Sequence, residues 1–181
     1  MRLFTAIDIP TEITSRLTAL VDRLRSLAKL SWSPTEHLHV TTKFIGEWPE
    51  TRLIEVERAL SSVPCPGPIE IAVRGLGWFP NHRDPRVFWA GVESGPGLRK
   101  LAQETEKSLA AIGVPVEERD YHPHLTLARR RVPVPLDRLR QELARIPSQD
   151  FGCFRAESFF LYLSKAGKYS KLNEFPIVSK L

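Results

Sequence analysis

Apolar positions along the chain change period several times, and each change marks an element. RLFTAID, residues 2–8, reads as a strand that Pro10 ends, and beyond it Ile13, Leu17, Leu20, Val21, Leu24 and Leu27 recur at helical spacing. A strand over residues 37–46 follows, closed by Gly46, then a helix from about Glu50 to Ser62. The runs IEIAVRGLGWF and RVFWAGVE read as strands, joined by PNHRDP, which has the composition of a hairpin or exposed loop. Leu98, Leu101, Ala102, Leu109 and Ile112 line one face of a helix over residues 97–112, with Gly113 and Pro115 placed to stop it. A second short strand over 123–130 leads to a helix around Leu136, Leu139 and Leu143, to one long strand-like run from Phe151 to Leu163, and to a closing strand, YSKLNEFPIV.

This order predicts an α+β fold with largely antiparallel sheet. It also predicts a duplication, because each half offers a helix, a strand with histidine-x-threonine, a helix and then long β-type runs. The expected architecture is a single domain over residues 1–181. It consists of two intertwined lobes related by a pseudo-two-fold, with helices outside and one motif strand from each lobe at a central groove.

The strands at 37–46 and 123–130 are the unusual ones. Strict alternation along HLHVTTKF groups His37, His39, Thr41 and Lys43 on one face and Leu38, Val40, Thr42 and Phe44 on the other. The apolar set is the buried side, so the polar set is expected to face a cavity or solvent. In HPHLTLAR the same rule sets His122, His124 and Thr126 against Leu125 and Leu127. Four of the five histidines lie in these two stretches.

Composition narrows the surroundings. A chain of 181 residues is long enough for a sizeable core without disulfides. Cys65 and Cys153 lie far apart with no metal-ligand spacing, so a reduced, cytoplasmic setting is expected. The opening MRLFTAIDIP is too short in its apolar run for a signal peptide, and no stretch reaches the length of a membrane span. A net charge of +5 suits polyanionic partners such as RNA, and equally an ordinary arginine-rich surface.

A lone histidine on a strand is usually structural or superficial, and one histidine-x-threonine triplet carries almost no information. Two copies in equivalent places of a repeat reverse that weighting. Paired imidazoles suit acid and base catalysis near neutral pH, a threonine hydroxyl can hold an oxyanion, and a nearby Lys or Arg neutralises developing charge. Four imidazoles could also bind metal, but only Glu36 and Asp120 flank them, and threonine in place of a further ligand favours an anion instead. Aromatic residues that could stack a base are Phe44, Trp78, Phe79, Trp89 and Tyr121.

With HVTT at 39–42 and HLTL at 124–127, the chain resembles the 2H phosphoesterases, and more narrowly the RNA 2′,3′-cyclic phosphodiesterases also described as 2′-5′ RNA ligases. RLFTAIDIP, HLHVTTKFIGE, GLGWFPNHRDPRVFWAGVE, YHPHLTLARR and FLYLSKAGKYSKLNEFPI carry the resemblance over nearly the whole length. It implies metal-independent, cofactor-free hydrolysis of terminal 2′,3′-cyclic phosphates on RNA or nucleotides to 2′-phosphomonoesters, with reversible ligase action on tRNA halves; a monomer is the simpler expectation. It further implies His39 as proton donor, His124 as proton acceptor, Thr41 and Thr126 on the phosphate oxygens, and Lys43 with an arginine neutralising charge. A near-symmetric pair does not say which histidine is acid and which base. For the arginine, the family pattern points to Arg129, whereas alternation from Thr126 puts Arg130 on the motif face; a bulge or the strand's end after Leu127 would reconcile the two in favour of Arg129. His37, His122 and Tyr121 are further candidates for substrate contact. The competing expectation is a noncatalytic RNA- or nucleotide-binding module with the same groove.

Overall fold

In a computed structural model, which describes residues 1–178, nine strands form two antiparallel sheets. The first is built from Arg2–Asp8 (β1), His39–Glu47 (β3), Ser158–Lys165 (β8) and Lys168–Pro176 (β9), in the order β3-β1-β8-β9. The second is built from Ser31–Trp32 (β2), Ile69–Phe79 (β4), Val87–Ser94 (β5), His124–Arg129 (β6) and Asp150–Ala156 (β7), in the order β2-β6-β5-β4-β7. Four α-helices accompany them: Thr11–Leu24 (α1), Leu53–Ser61 (α2), Pro96–Ala110 (α3) and Asp137–Ala144 (α4).

The duplication is visible in the strand order. β1, α1, β3, α2 and β4 of the first half correspond to β5, α3, β6, α4 and β8 of the second. The last strand of each half is exchanged: β4 pairs with β5, and β8 pairs with β1. Helices cross over as well. α1 packs against β7 of the second sheet, where the Arg16 guanidinium donates to the Phe151 carbonyl at 3.2 Å, while α3 packs against β3 of the first.

Amphipathic spacing accounts for the helices. Ile13, Leu17, Leu20, Val21 and Leu24 on α1 and Leu98, Leu101 and Leu109 on α3 are buried, joining Leu3, Ile7, Val40, Phe88 and Leu125 in a continuous core. Gly113, at φ +97°, ends the α3 region in a backbone conformation that a side chain resists. No helix among the described residues is long and apolar enough to cross a membrane.

Two elements differ from the sequence expectation. The run from Phe151 to Leu163 is two strands broken at Glu157, because β7 completes the second sheet on β4 and β8 the first sheet on β1. The first histidine strand begins at His39, not at His37, which closes a single helical turn over Thr35–His37. Hydrophobic period alone marks neither a change of sheet nor a one-turn helix.

Candidate active site

β3 is an edge strand of the first sheet, and β6 lies beside the two-residue β2 at the edge of the second; the two approach each other at the seam. The motifs therefore meet there. Tyr121, just ahead of the second motif, donates its hydroxyl to the Thr41 carbonyl of the first at 3.0 Å. Burial pushes that phenol above its ordinary value, so it stays a protonated donor.

His39 and His124 are held alike. Nδ1 of His39 lies 2.7 Å from the His37 carbonyl, and Nδ1 of His124 lies 2.8 Å from the His122 carbonyl. A carbonyl only accepts, so Nδ1 carries the proton in both rings and Nε2 is the atom that can gain or lose one. Burial lowers both imidazoles below 6.5, and the backbone hydrogen bonds partly offset it. The remaining influences differ: Asp8 raises His39, whereas Arg129 lowers His124.

Each ring also has an aromatic wall. Phe4 stacks on His39 with centroids 4.8 Å apart, Tyr162 lies against both, and Phe79 meets His124 edge-on at 5.0 Å. Tyr162 donates its hydroxyl to Asp8, which also forms an ion pair with Lys171. Sequence reasoning missed Phe4, Asp8, Tyr162 and Lys171. Alternation along RLFTAID held part of the signal, since Phe4, Ala6 and Asp8 share a face of β1.

Strict alternation fails after each threonine, at a bulge. Thr5 pairs with Lys43 and Ala6 with Thr41, so Thr42 is an extra residue in β3. Phe88 pairs with Ala128 and Trp89 with Thr126, so Leu127 is the extra residue in β6. Thr42 and Lys43 are consequently both buried, and the next residue, Phe44, is 60% exposed on the Phe4 side of the sheet. This reverses the expectation for Lys43 and Phe44. Lys43 turns away from the groove, its ammonium donating to Glu106 at 2.6 Å and to the Pro115 carbonyl at 2.7 Å.

The same device separates the two arginines. Leu127 and Ala128 are both fully buried, and Arg129 emerges exposed, with no side-chain hydrogen bond or ion pair among the described residues. Arg130 pairs with Asp84 at 2.6 Å, on the loop between β4 and β5, so its guanidinium is committed there. Tyr121 is likewise committed through its hydroxyl to the strand it braces. His122 is exposed beside Phe79, and the half-buried His37 borders a pocket next to His39. The hydroxyls of Thr41 and Thr126 have no hydrogen-bond partner among the described residues. No group of three or more His, Cys, Asp or Glu side chains among those residues is arranged to hold a metal ion. Of the aromatic candidates, Trp78 is core, while Phe79 and Trp89 pack together beside His124.

Two antiparallel sheets joined at a seam of paired His-x-Thr strands are the architecture of the two-histidine phosphoesterases. Residues 7–89 and 91–176 match the LigT-like phosphoesterase family model, and the chain belongs to that family. An RNA 2′,3′-cyclic phosphodiesterase of Methanocaldococcus jannaschii is 33% identical, with 91% of each chain covered. One from Thermus thermophilus is 30% identical over 98% of this chain and 90% of its own. Among solved structures, TT0787 of Thermus thermophilus superposes with a TM-score of 0.81 at 30% identity, covering all of both chains. E. coli LigT complexed with 3′-AMP superposes at 0.76 with 24% identity and 97% coverage of each, a likeness of fold.

Proposed function

We propose that the protein hydrolyses terminal 2′,3′-cyclic phosphates of RNA or nucleotides to 2′-phosphomonoesters, with His39 as acid and His124 as base. The observation that carries this reading is the matched pair of Nδ1–H···O=C hydrogen bonds, which leaves two Nε2 atoms, one from each sheet, for proton transfer. Similarity to RNA 2′,3′-cyclic phosphodiesterases supplies the substrate class.

In this mechanism Nε2 of neutral His124 takes a proton from water as its oxygen attacks phosphorus opposite O3′. The P–O3′ bond breaks, and protonated His39 gives its Nε2 proton to O3′, leaving a 3′-hydroxyl and a 2′-phosphate. Thr41 and Thr126 donate to the non-bridging oxygens, and the uncommitted Arg129 offsets their charge. The charges nearby support the assignment: a carboxylate near His39 favours the protonated form that an acid needs, and a guanidinium near His124 favours the neutral form of a base. A 5′-hydroxyl in place of water gives a 2′-5′ linkage, and opening that linkage exchanges the two roles. No step requires a metal.

The test is to incubate adenosine 2′,3′-cyclic phosphate with the protein in excess chelator and identify the product. The expected product is the 2′-monophosphate. His39→Ala and His124→Ala should each lower turnover by roughly a hundred- to ten-thousand-fold while circular dichroism stays native. A 3′-monophosphate, or activity abolished by the chelator, overturns the reading.

A further inference from the structure

A pocket of about 280 Å³ opens beside His39, with His37, Asp8, Tyr162, Tyr169 and Lys171 in its lining. None of the proposed chemistry uses Tyr169 or Lys171. Both come from β9, at the far edge of the first sheet from β3. The Tyr169 ring centroid is 5.3 Å from those of both His37 and His39, yet the residue remains 39% exposed. Lys171 lies 4.1 Å over the Phe160 ring and pairs with Asp8.

The geometry of ribose connects this pocket to a particular part of an RNA chain, given the phosphodiesterase reading on which the inference rests. The departing O3′ must lie at Nε2 of His39, so the C3′ edge of the sugar faces that histidine. Around the ring, C3′ is followed by C4′, which carries C5′ and the chain to the preceding nucleotide. The base of the terminal nucleotide hangs from C1′, beyond C2′, on the opposite side. Whatever fills the space beside His39 therefore belongs to the 5′ extension of the strand.

We propose that this pocket binds the nucleotide immediately 5′ of the cyclic-phosphate end, its base stacking on Tyr169 and the intervening phosphate meeting Lys171, whose three ammonium donors serve Asp8 and the phosphate together. An aromatic face accepts any base, and one ammonium beside it suits a single phosphodiester. The pocket thereby distinguishes RNA ends from free cyclic mononucleotides without reading sequence.

The experiment compares kcat/KM on a mononucleoside 2′,3′-cyclic phosphate with kcat/KM on a dinucleotide ending in the same group. Wild type should prefer the dinucleotide, and Tyr169→Ala should lower the dinucleotide-to-mononucleotide ratio about tenfold, with Tyr169→Phe restoring it. Using the ratio removes any effect of Tyr169 on His39 itself, which acts on both substrates. Lys171→Gln should reduce the slope of log(kcat/KM) against log[salt] by about 0.7 for the dinucleotide relative to the mononucleotide. A ratio unchanged in Tyr169→Ala overturns the inference. So does a ratio that instead collapses in Arg83→Ala/Arg131→Ala, since those exposed arginines belong to the second sheet, on the β4–β5 loop and just after β6. Failure of wild type to open either substrate overturns the phosphodiesterase reading, and the inference with it.

Discussion

Thr42 and Leu127 hold the same place in their strands: each is the extra residue of a β-bulge three positions after its motif histidine. The bulge presents two consecutive side chains to the core and so returns the fifth residue after the histidine to the outer face. That fifth residue is Phe44 in one strand and Arg129 in the other. The duplicated backbone thus carries an aromatic surface on one side of the seam and a free cation on the other. A symmetric scaffold is made asymmetric at one position per strand.

Lys43 stands at the position of Ala128 and is accordingly expected to act on stability. Its ammonium joins β3 to Glu106 on α3, and Glu106 in turn accepts from the Glu117 amide at 3.2 Å, fixing the start of the segment that leads to the second motif. Lys43→Met should leave a mostly buried carboxylate unpaired and cost about 2 kcal/mol, a fall in Tm on the order of 5 °C. KM for a cyclic nucleotide should change less than about twofold. A tenfold rise in KM at unchanged Tm would mean that the lysine reaches the phosphate after all.

The first bulge is pinned by a hydroxyl pair, Thr5 and Thr42, with oxygens 2.7 Å apart and both residues buried. Thr42→Val alone strands the Thr5 hydroxyl in the core and should cost about 1.5 kcal/mol. Adding Thr5→Val removes the stranded group, so the second change should cost little, leaving a coupling energy of at least about 1 kcal/mol in chemical denaturation. Strict additivity would show that the two hydroxyls do not depend on each other.

How far the sequence reaches follows from the same bulges. Alternation is reliable for as long as a strand is regular, so His39, Thr41, His124 and Thr126 fall on one face with no further information. It fails at the first unpaired residue, and Thr42 and Leu127 carry no local signal of a bulge, since neither is glycine. Alternation therefore places Lys43 in the groove and Phe44 in the core, the reverse of what is found. Asp8 faces His39 directly across the pairing of β1 with β3. Tyr162 and Tyr169 are illegible for a different reason. They reach His39 through the pairings of β1 with β8 and β8 with β9, and the first of these, which sets Ala6 against Phe160, exists only because strands are exchanged between the halves. The long run broken at Glu157 hides its break because both of its halves are good strand sequence.

In the proposed mechanism the Asp8 carboxylate favours His39 as the acid, since its charge raises that imidazole. In the free protein both rings lie below 6.5, so a mechanism needing one neutral and one protonated ring gives a bell-shaped kcat/KM profile whose limbs both fall on the acid side of that value. The rate rises with pH as the base loses its proton and falls as the acid loses its own. The Asp8 carboxylate raises His39 by stabilising the imidazolium, so Asp8→Asn, which keeps an acceptor for Tyr162, should lower His39 further. If His39 is the acid, the descending limb moves to lower pH and the ascending limb stays where it is. The optimum then narrows and its height drops, because fewer molecules hold the acid protonated while the base is neutral. Movement of the ascending limb instead would assign His39 as the base, and with it reverse the direction in which the RNA strand crosses the seam.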